Sequence, residues 1–392
     1  MPVGVYIAVP FCRSKCTFCN FASGVFSRHK MIGYVAGLRQ EIASAESLAI
    51  HIGAKFDGRV DSIYLGGGTP TTLAADQLAE VFRIVHGELD VDKQAEVTVE
   101  CAPGTLRPEI LKTLLDAGVN RVSLGAQSFV DQEIRSVGRL HTAEQALADV
   151  ASLQKNGINN INLDLIAGLP HQTSQSWQAS LQQLAELNVA HASIYILEVD
   201  DESRLGRELI AGGDRYHAHY VPDSDLSAEM YLQALDFLAK AGLAQYEISN
   251  LCRPGRESRH NMKYWTRQPY LGFGLDAHSM LPPQDLAQCE SIRFSNTEDL
   301  ETYMANPTPI SFERIDRHRA MEESMFLPLR LNRGVDINLL GFDAREMFES
   351  EIRELIELGL LQQHENWLRL TARGRLLSNE VFERFISDKQ IA

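Results

Sequence analysis

No run of these 392 residues is apolar for long enough to span a bilayer. Basic residues are the minority: 37 Lys and Arg stand against 52 Asp and Glu, a formal net charge of -15. That balance argues against nucleic acid as the main partner. The chain opens Met1-Pro2-Val3-Gly4 and enters its first apolar run at once, with no basic segment ahead of a long apolar core, so no signal peptide is expected. Cysteine is scarce, six in all, and the scattered Cys101, Cys252 and Cys289 read as free thiols. A reducing cytoplasm is the expected location. What is present allows a large core: 44% of residues are hydrophobic, and the length suits two or three structural units.

The other three cysteines lie close together in Val9-Pro10-Phe11-Cys12-Arg13-Ser14-Lys15-Cys16-Thr17-Phe18-Cys19-Asn20-Phe21, directly after the apolar run 3–9. Three thiolates on one short loop can hold one iron-sulfur cluster. A four-iron cluster then keeps one iron open to a small molecule, as a reactive cluster requires. Zinc is the alternative and wants a fourth ligand, for which His29 is the nearest histidine. No second cysteine pair follows. A disulfide would leave one cysteine over.

Strand-like runs at 3–9, 62–65, 96–100, 121–124, 160–165 and 192–197 alternate with amphipathic stretches near 29–50, 74–87, 108–117, 142–155, 175–187 and 226–241. Six β/α units without a sequence repeat indicate an α/β fold, a parallel sheet with helices outside. Periodicity does not separate an open doubly wound sheet from a barrel. Six units are too few for a complete eight-fold barrel.

In parallel α/β folds chemistry gathers where strands end. The cysteines follow the first strand, and Gly66-Gly67-Gly68-Thr69-Pro70 follows the second. Successive glycines let backbone amides and carbonyls approach a ligand's ammonium group, or simply make a tight turn. Glu100 closes the third strand. It can accept from an ammonium or a ribose hydroxyl, or pair with an arginine such as Arg121. Gln127, after the fourth, offers donors and an acceptor. Asp164, in the apolar run 161–168, suits two ribose hydroxyls or a structural partner. Arg139, in Val137-Gly138-Arg139-Leu140-His141-Thr142, can clamp a carboxylate or begin a helix.

The C-x3-C-x2-C spacing resembles the signature of the radical S-adenosylmethionine enzymes. With Gly66-Gly67-Gly68-Thr69-Pro70, Glu100, Gln127, Gly138-Arg139-Leu140-His141-Thr142 and Asp164-Leu165-Ile166-Ala167-Gly168-Leu169-Pro170, nearly the whole chain resembles one branch of that family, the oxygen-independent coproporphyrinogen dehydrogenases and their relatives. The resemblance implies a partial (β/α)6 barrel with a C-terminal, mainly helical, winged-helix-like module. It implies a [4Fe-4S] cluster on Cys12, Cys16 and Cys19, with S-adenosylmethionine on the open iron. In that family the cluster's electron splits the sulfonium to give a 5'-deoxyadenosyl radical. Equivalents of the glycines lie at the cofactor's amino group, of Arg139 near its carboxylate, and of Gln127 and Asp164 near its ribose.

Two functions follow from this branch. The dehydrogenases oxidatively decarboxylate two propionates of coproporphyrinogen III. Their cysteine loop carries a fourth cysteine two residues after the third, where this chain has Phe21, and their pattern has an N-terminal extension before the first strand, whereas this sequence starts at the strand. The stretch Arg259-His260-Asn261-Met262-Lys263-Tyr264-Trp265, with Gly272-Phe273-Gly274-Leu275-Asp276-Ala277-His278-Ser279, resembles the HemW-type haem chaperones instead. These bind haem and deliver it to acceptor haemoproteins, often respiratory ones. His260 is then the first candidate ligand, with His278, His217 and His219 as others. Tyr264 and Trp265 can pack on the macrocycle, and Arg253, Arg256 and Arg259 can meet its propionates. A homodimer, and peripheral membrane contact through the partner, are compatible with this resemblance.

After Asn306-Pro307-Thr308-Pro309 the tail reads as helices at 316–326, 337–340 and 344–358, a ribbon at 364–371 and a last helix at 372–386. Glu322, Glu323, Glu349, Glu351, Glu354 and Glu357 offset its arginines, which argues against DNA. A lid over the barrel mouth or a partner surface is expected. The division is 1–240 for the core barrel, 241–309 for the extension carrying the H-N-x-x-Y-W motif, and 310–392 for the tail.

Overall fold

The computed structural model describes residues 1–340 and 346–387. Six parallel strands pair in chain order: β1 (Val3–Val9), β2 (Arg59–Gly67), β3 (Asp90–Cys101), β4 (Arg121–Gln127), β5 (Ile161–Ala167) and β6 (His191–Ile196). Between them run α1 (Arg28–Ile52), α2 (Ala75–Glu88), α3 (Pro108–Asp116), α4 (Asp131–Ser136), α5 (Ala143–Lys155) and α6 (Ser174–Glu186). Strand order never reverses, so right-handed crossovers put every helix on one face. A doubly wound sheet would need a reversal point. The arrangement is that of a partial barrel. Among the described residues β1 and β6 do not pair, so the six strands do not close on themselves.

Alternation along each strand divides the two faces. Val5, Ile7 and Val9 of β1, Ile63 and Leu65 of β2, Val122 and Leu124 of β4, and Leu163 and Leu165 of β5 are fully buried in one continuous apolar core. The alternate positions carry Tyr6, Ser62, Tyr64, Thr98, Glu100, Arg121, Ser123, Asn162 and Asp164. The inner face of the sheet is therefore polar.

Beyond β6 come α7 (Arg204–Ile210) and α8 (Ser224–Lys240). Residues 241–315 then extend the sheet at both edges, across the expected boundary at 310, which their sequence does not announce. At one edge β8 (Asn250–Cys252) adds antiparallel to β6, and β7 (Ala244–Gln245) pairs antiparallel with β8. After α9 (Arg259–Trp265), β9 (Tyr270–Gly274) lies parallel to β1, and β10 (His278–Leu281), β11 (Ser291–Ser295) and β12 (Ser311–Ile315) continue antiparallel. These strands are short and hold no long β-branched run, so periodicity passes over them. Their Leu271, Phe273, Ile292 and Phe294 join the barrel core.

A second core gathers Met325, Leu329, Val335, Leu355, Leu368, Val381 and Phe385. It lies between α11 (Arg317–Leu329, which follows α10, Leu300–Ala305) and an antiparallel sheet of β13 (Val335–Asp336), β15 (Trp367–Leu370) and β14 (Leu361–His364). Residues 337–340 form a turn in place of the expected helix, because the Asp336 carboxylate accepts from Asn338 N–H at 3.0 Å. A helix, Glu349–Glu357, stands within the expected 344–358; residues 344 and 345 lie outside the described ones. The last expected helix is two, Ala372–Leu376 and Ser378–Glu383.

This module does not lie over the cysteine loop, which corrects the expected lid. Ile248 N–H donates to Arg330 O, Asn332 N–H to Tyr246 O, and Glu323 holds both Arg267 and Arg293 at 2.8 Å. It is thus fastened to the β7–β8 hairpin and to the chain around α9 and β11. Among the described residues no helix is long and apolar enough to cross a membrane.

Candidate functional site

The cysteine loop leaves β1 at the C-terminal edge of the sheet and is pinned from several sides. Phe11 is buried edge-on against Tyr34, ring centres 5.2 Å apart. Cys12 N–H donates to Gly24 O at 2.8 Å, and Gly24 N–H returns to Pro10 O at 2.9 Å. Gly68 N–H reaches Val9 O at 2.9 Å, and Thr69 N–H reaches Phe11 O at 2.8 Å. From across the mouth, Thr17 N–H donates to Val137 O, and Ser14 Oγ to Gly138 O at 2.9 Å. Residues 198–223, in which the sequence singles out only His217 and His219, close the last side. Leu205 N–H donates to Thr17 O at 2.9 Å, the Arg204 guanidinium to Lys15 O, and Asn20 to Asp200 at 2.9 Å.

Cys12, Cys16 and Cys19 are all half-buried free thiols. Burial pushes the Cys12 thiol up, opposed by hydrogen bonds from Ser23 and Thr69. Burial also pushes Cys16 up, while Arg139 pulls it down and the other two sulfurs push it up. The Cys12 and Cys16 thiols are therefore both pulled down by one cation, Arg139, against the effect of burial. Among the described residues, no three His, Cys, Asp or Glu side chains converge on a single ion. Three cysteines that each bind a different iron need not converge as ligands of one zinc must, so the loop fits a cluster better than zinc. His29 begins α1 and is not drawn into a metal-ligating group with them.

The glycine run has a steric cause that needs no ligand. A Cβ on Gly68 would stand 2.7 Å from Val9 O and 2.9 Å from Phe11 N, and one on Gly66 2.9 Å from the Glu100 carboxyl. Gly67 has φ 92°, closed to most residues. These glycines let the end of β2 cross the cysteine loop.

Glu100 points inward and accepts from Tyr64 OH at 2.9 Å. Burial and then the Asp164 charge push its carboxyl up to about 7. It is not paired with Arg121. Asp164 accepts from Asn162 Nδ2 at 2.7 Å, and its carboxyl is also pushed up, mainly by burial. Gln127 has φ 68°, and among the described residues its buried Oε1 has no partner; nor has the buried Arg139 Nε. The two side chains meet over Gly125, where a Cβ would lie 2.9 Å from Gln127 Nε2 and 3.0 Å from Arg139 Nη2. Unsatisfied buried groups are costly, so a pair of them at a strand end fits a polar ligand. The donor set suits the carboxylate, ammonium and hydroxyls of S-adenosylmethionine.

His260 lies at the other end. It sits in the first turn of α9, which Ser258 caps, against the N-terminal ends of β2 and β3. Its Nδ1 bonds Ser62 Oγ at 3.1 Å, its Nε2 bonds Tyr264 OH at 2.8 Å, and its N–H donates to Glu96 at 3.1 Å. Burial, then Lys263 and Arg121, push the ring down to about 3, so it stays neutral. Tyr264 packs on Tyr270, ring centres 4.7 Å apart, and Trp265 lies under Arg330. Arg253 is spent on Val189 O and Asn188. His278 stands exposed 3.8 Å from Asp276; His217 contacts His171 at 3.0 Å, and His219 stacks on Tyr220.

Residues 6–184 match the model of the radical SAM superfamily, and residues 315–377 match the HemN C-terminal domain. Along 99% of its length the chain is 34% identical to "Heme chaperone HemW" of Lactococcus lactis subsp. lactis, covering 98% of that protein. The chain belongs to the HemW-type branch of the radical SAM superfamily. A second member, "Heme chaperone HemW" of Bacillus subtilis, is 32% identical over 98% of this chain and 99% of its own. The solved coproporphyrinogen III oxidase HemN of Escherichia coli superposes with a TM-score of 0.83 at 24% identity, over 98% of this chain and 90% of that one. That likeness shows the fold. Membership of the radical SAM superfamily implies a [4Fe-4S] cluster and S-adenosylmethionine.

Proposed function

We propose that this protein binds haem and passes it to acceptor haemoproteins, while Cys12, Cys16 and Cys19 hold a [4Fe-4S] cluster. The observation that carries this is the full-length likeness to proteins named haem chaperones. Phe21 supports it: 64% exposed at the rim of the cysteine loop, it stands where the resembling dehydrogenases have a cysteine. The cluster, when bound, supplies a one-electron donor and an open iron. Around it, Gly66, Gly67, Gly68 and Thr69 shape the backbone, Glu100 accepts from the cofactor's ammonium, Arg139 meets its carboxylate, and Gln127 and Asp164 hold its ribose. His260 is the proposed haem ligand from the motif. Ligation requires it to give up its bond to Ser62 or to Tyr264.

The division into 1–240, 241–309 and 310–392, the winged-helix-like character of the last part, and a cytoplasmic location belong to the same proposal. The second reading, coproporphyrinogen III dehydrogenation, is favoured by the HemN fold alone. One experiment separates them. The cluster is reconstituted without oxygen, and S-adenosylmethionine, reductant and coproporphyrinogen III are added beside an active control enzyme. The expected result is no protoporphyrinogen, together with haem binding and transfer to an apo-haemoprotein. Repeated turnover to protoporphyrinogen would replace this reading with the enzymatic one.

A further inference from the structure

A cleft of about 930 Å³ opens under the floor of the barrel, at the end away from the cysteines. Its walls come from the N-terminal ends of β2 and β3, from Asn120 and Asn160 just before β4 and β5, from α9 and its preceding loop, and from Leu331, Asn332 and Arg333 of the C-terminal module. The volume suits a ligand of several hundred daltons. Four cations line it: Arg256, Arg259, Lys263 and Arg333. Lys263 is committed to Asp61 at 2.8 Å. Among the described residues the other three have no carboxylate partner, and all three are exposed. Of the lining carboxylates, Asp61 holds Lys263 and Glu96 holds the His260 N–H, which leaves Glu257 alone against three arginines. In a chain of net charge -15 that is a local excess of the opposite sign. Met262, Leu331 and Tyr246 add apolar surface between the cations. Two lining residues, Asn160 and Asn332, keep a buried amide oxygen without a partner.

We propose that this floor cleft is where haem sits, its two propionates taken by Arg256, Arg259 and Arg333 and its flat body by Met262, Leu331 and Tyr246. This rests on the haem reading above and locates it; His260 does not line the cleft, so its ring reaches a haem there only by leaving Ser62 or Tyr264. Guanidinium groups bind carboxylates as two-pronged, charge-assisted pairs. A seven-residue strand such as β5 separates floor from mouth by roughly 20 Å. A haem on the floor is therefore held out of reach of the reactive end, as cargo must be. Because Arg333 and Asn332 belong to the C-terminal module, that module is one wall of the cleft, and displacing it opens the site for release.

The test uses the full chain with its cluster reconstituted, and haem titrated by Soret absorbance. Arg256→Glu/Arg259→Glu should weaken haem binding tenfold or more, and Arg333→Ala, on a separate element, several-fold. Arg83→Ala, on the outer face of α2, should change nothing. Haem dimethyl ester, with its propionates blocked, should bind the unaltered protein at least tenfold more weakly than haem. It should also be indifferent to all three variants. Circular dichroism and cluster absorbance monitor folding; if the double variant is misfolded, Arg333→Ala and the ester decide. Unaltered haem affinity in folded variants, or equal affinity for haem and its ester, would overturn the floor site. Absence of haem binding by the unaltered protein would instead overturn the haem reading on which it stands.

Discussion

The two ends of the barrel are made of similar residues in opposite states. At the mouth, polar groups are left unfinished: three half-buried thiols, Gln127 Oε1 and Arg139 Nε without partners, and two inward carboxyls pushed up by burial. Around His260 in the floor layer the polar groups are partnered: both His260 nitrogens, the Glu96 carboxylate and the Lys263 ammonium each have a protein partner, and the unpartnered amide oxygens there, of Asn160 and Asn332, face the cleft. The comparison teaches that His260 must break a protein bond before its ring can ligate, while an unpartnered glutamine marks a place built for something else.

The sharpest break in this comparison is Cys16→Ser. Cluster iron and its visible absorbance should be lost completely, with the fold retained by circular dichroism; full iron content would defeat the assignment. His260→Ala should weaken haem binding, as removal of a ligand must, and should also cost stability, because it leaves Ser62 and Tyr264 unpaired around a cavity. A loss of about 3 kcal/mol by denaturant titration is expected, with cluster loading unchanged. Stability within about 0.5 kcal/mol of the unaltered protein would mean that the floor does not depend on this ring.

The carboxyl of Glu100 tests the mouth by pH. Its value is pushed up to about 7, so the charged form that an ammonium needs accumulates as pH rises through 7. S-adenosylmethionine affinity should rise about tenfold from pH 6 to 8, the ratio of ionised fractions one unit either side of 7, and Glu100→Gln should abolish that slope. Stability has the opposite sign: a raised acid favours folding below about 4.5 and loses that contribution as pH climbs through about 7. A cofactor affinity that is flat across this range in the unaltered protein would remove Glu100 from the ammonium. The smallest effect is that of Arg139→Ala. Its Nε has no protein partner to lose, so stability should move by less than about 1 kcal/mol, while S-adenosylmethionine binding weakens several-fold by calorimetry. A large stability loss with unchanged binding would make Arg139 structural.

Much of the barrel was legible because its signal is local. The expected strand at 3–9 is β1 to the residue, and the expected run 160–165 falls on β5, since apolar β-branched runs bounded by polar turns need little help from context. The strands of 241–309 were not legible. β8 and β9 are stabilised by pairing with β6 and β1, and that is a property of the neighbours. Thr142 and Gln145 form a capping box that starts α5 within one residue of the expected 142. By contrast, 337–340 reads as helical by its apolar spacing and turns because one side chain, Asp336, captures the N–H of Asn338 two residues on.

By itself the sequence determined which residues can ligate iron and in what order the chemistry-bearing groups follow the strands. Cysteine spacing along a loop, and glycine where no Cβ fits, are constraints that act over a few residues. Only the tertiary structure decided which of those groups are left unpaired. It alone decided that His260 faces Ser62 across 198 residues of chain, and that Arg333 shares a cleft with Arg256 and Arg259. Whether a polar group is satisfied depends on partners that sequence distance does not reveal, and that accounting separates a site from a scaffold.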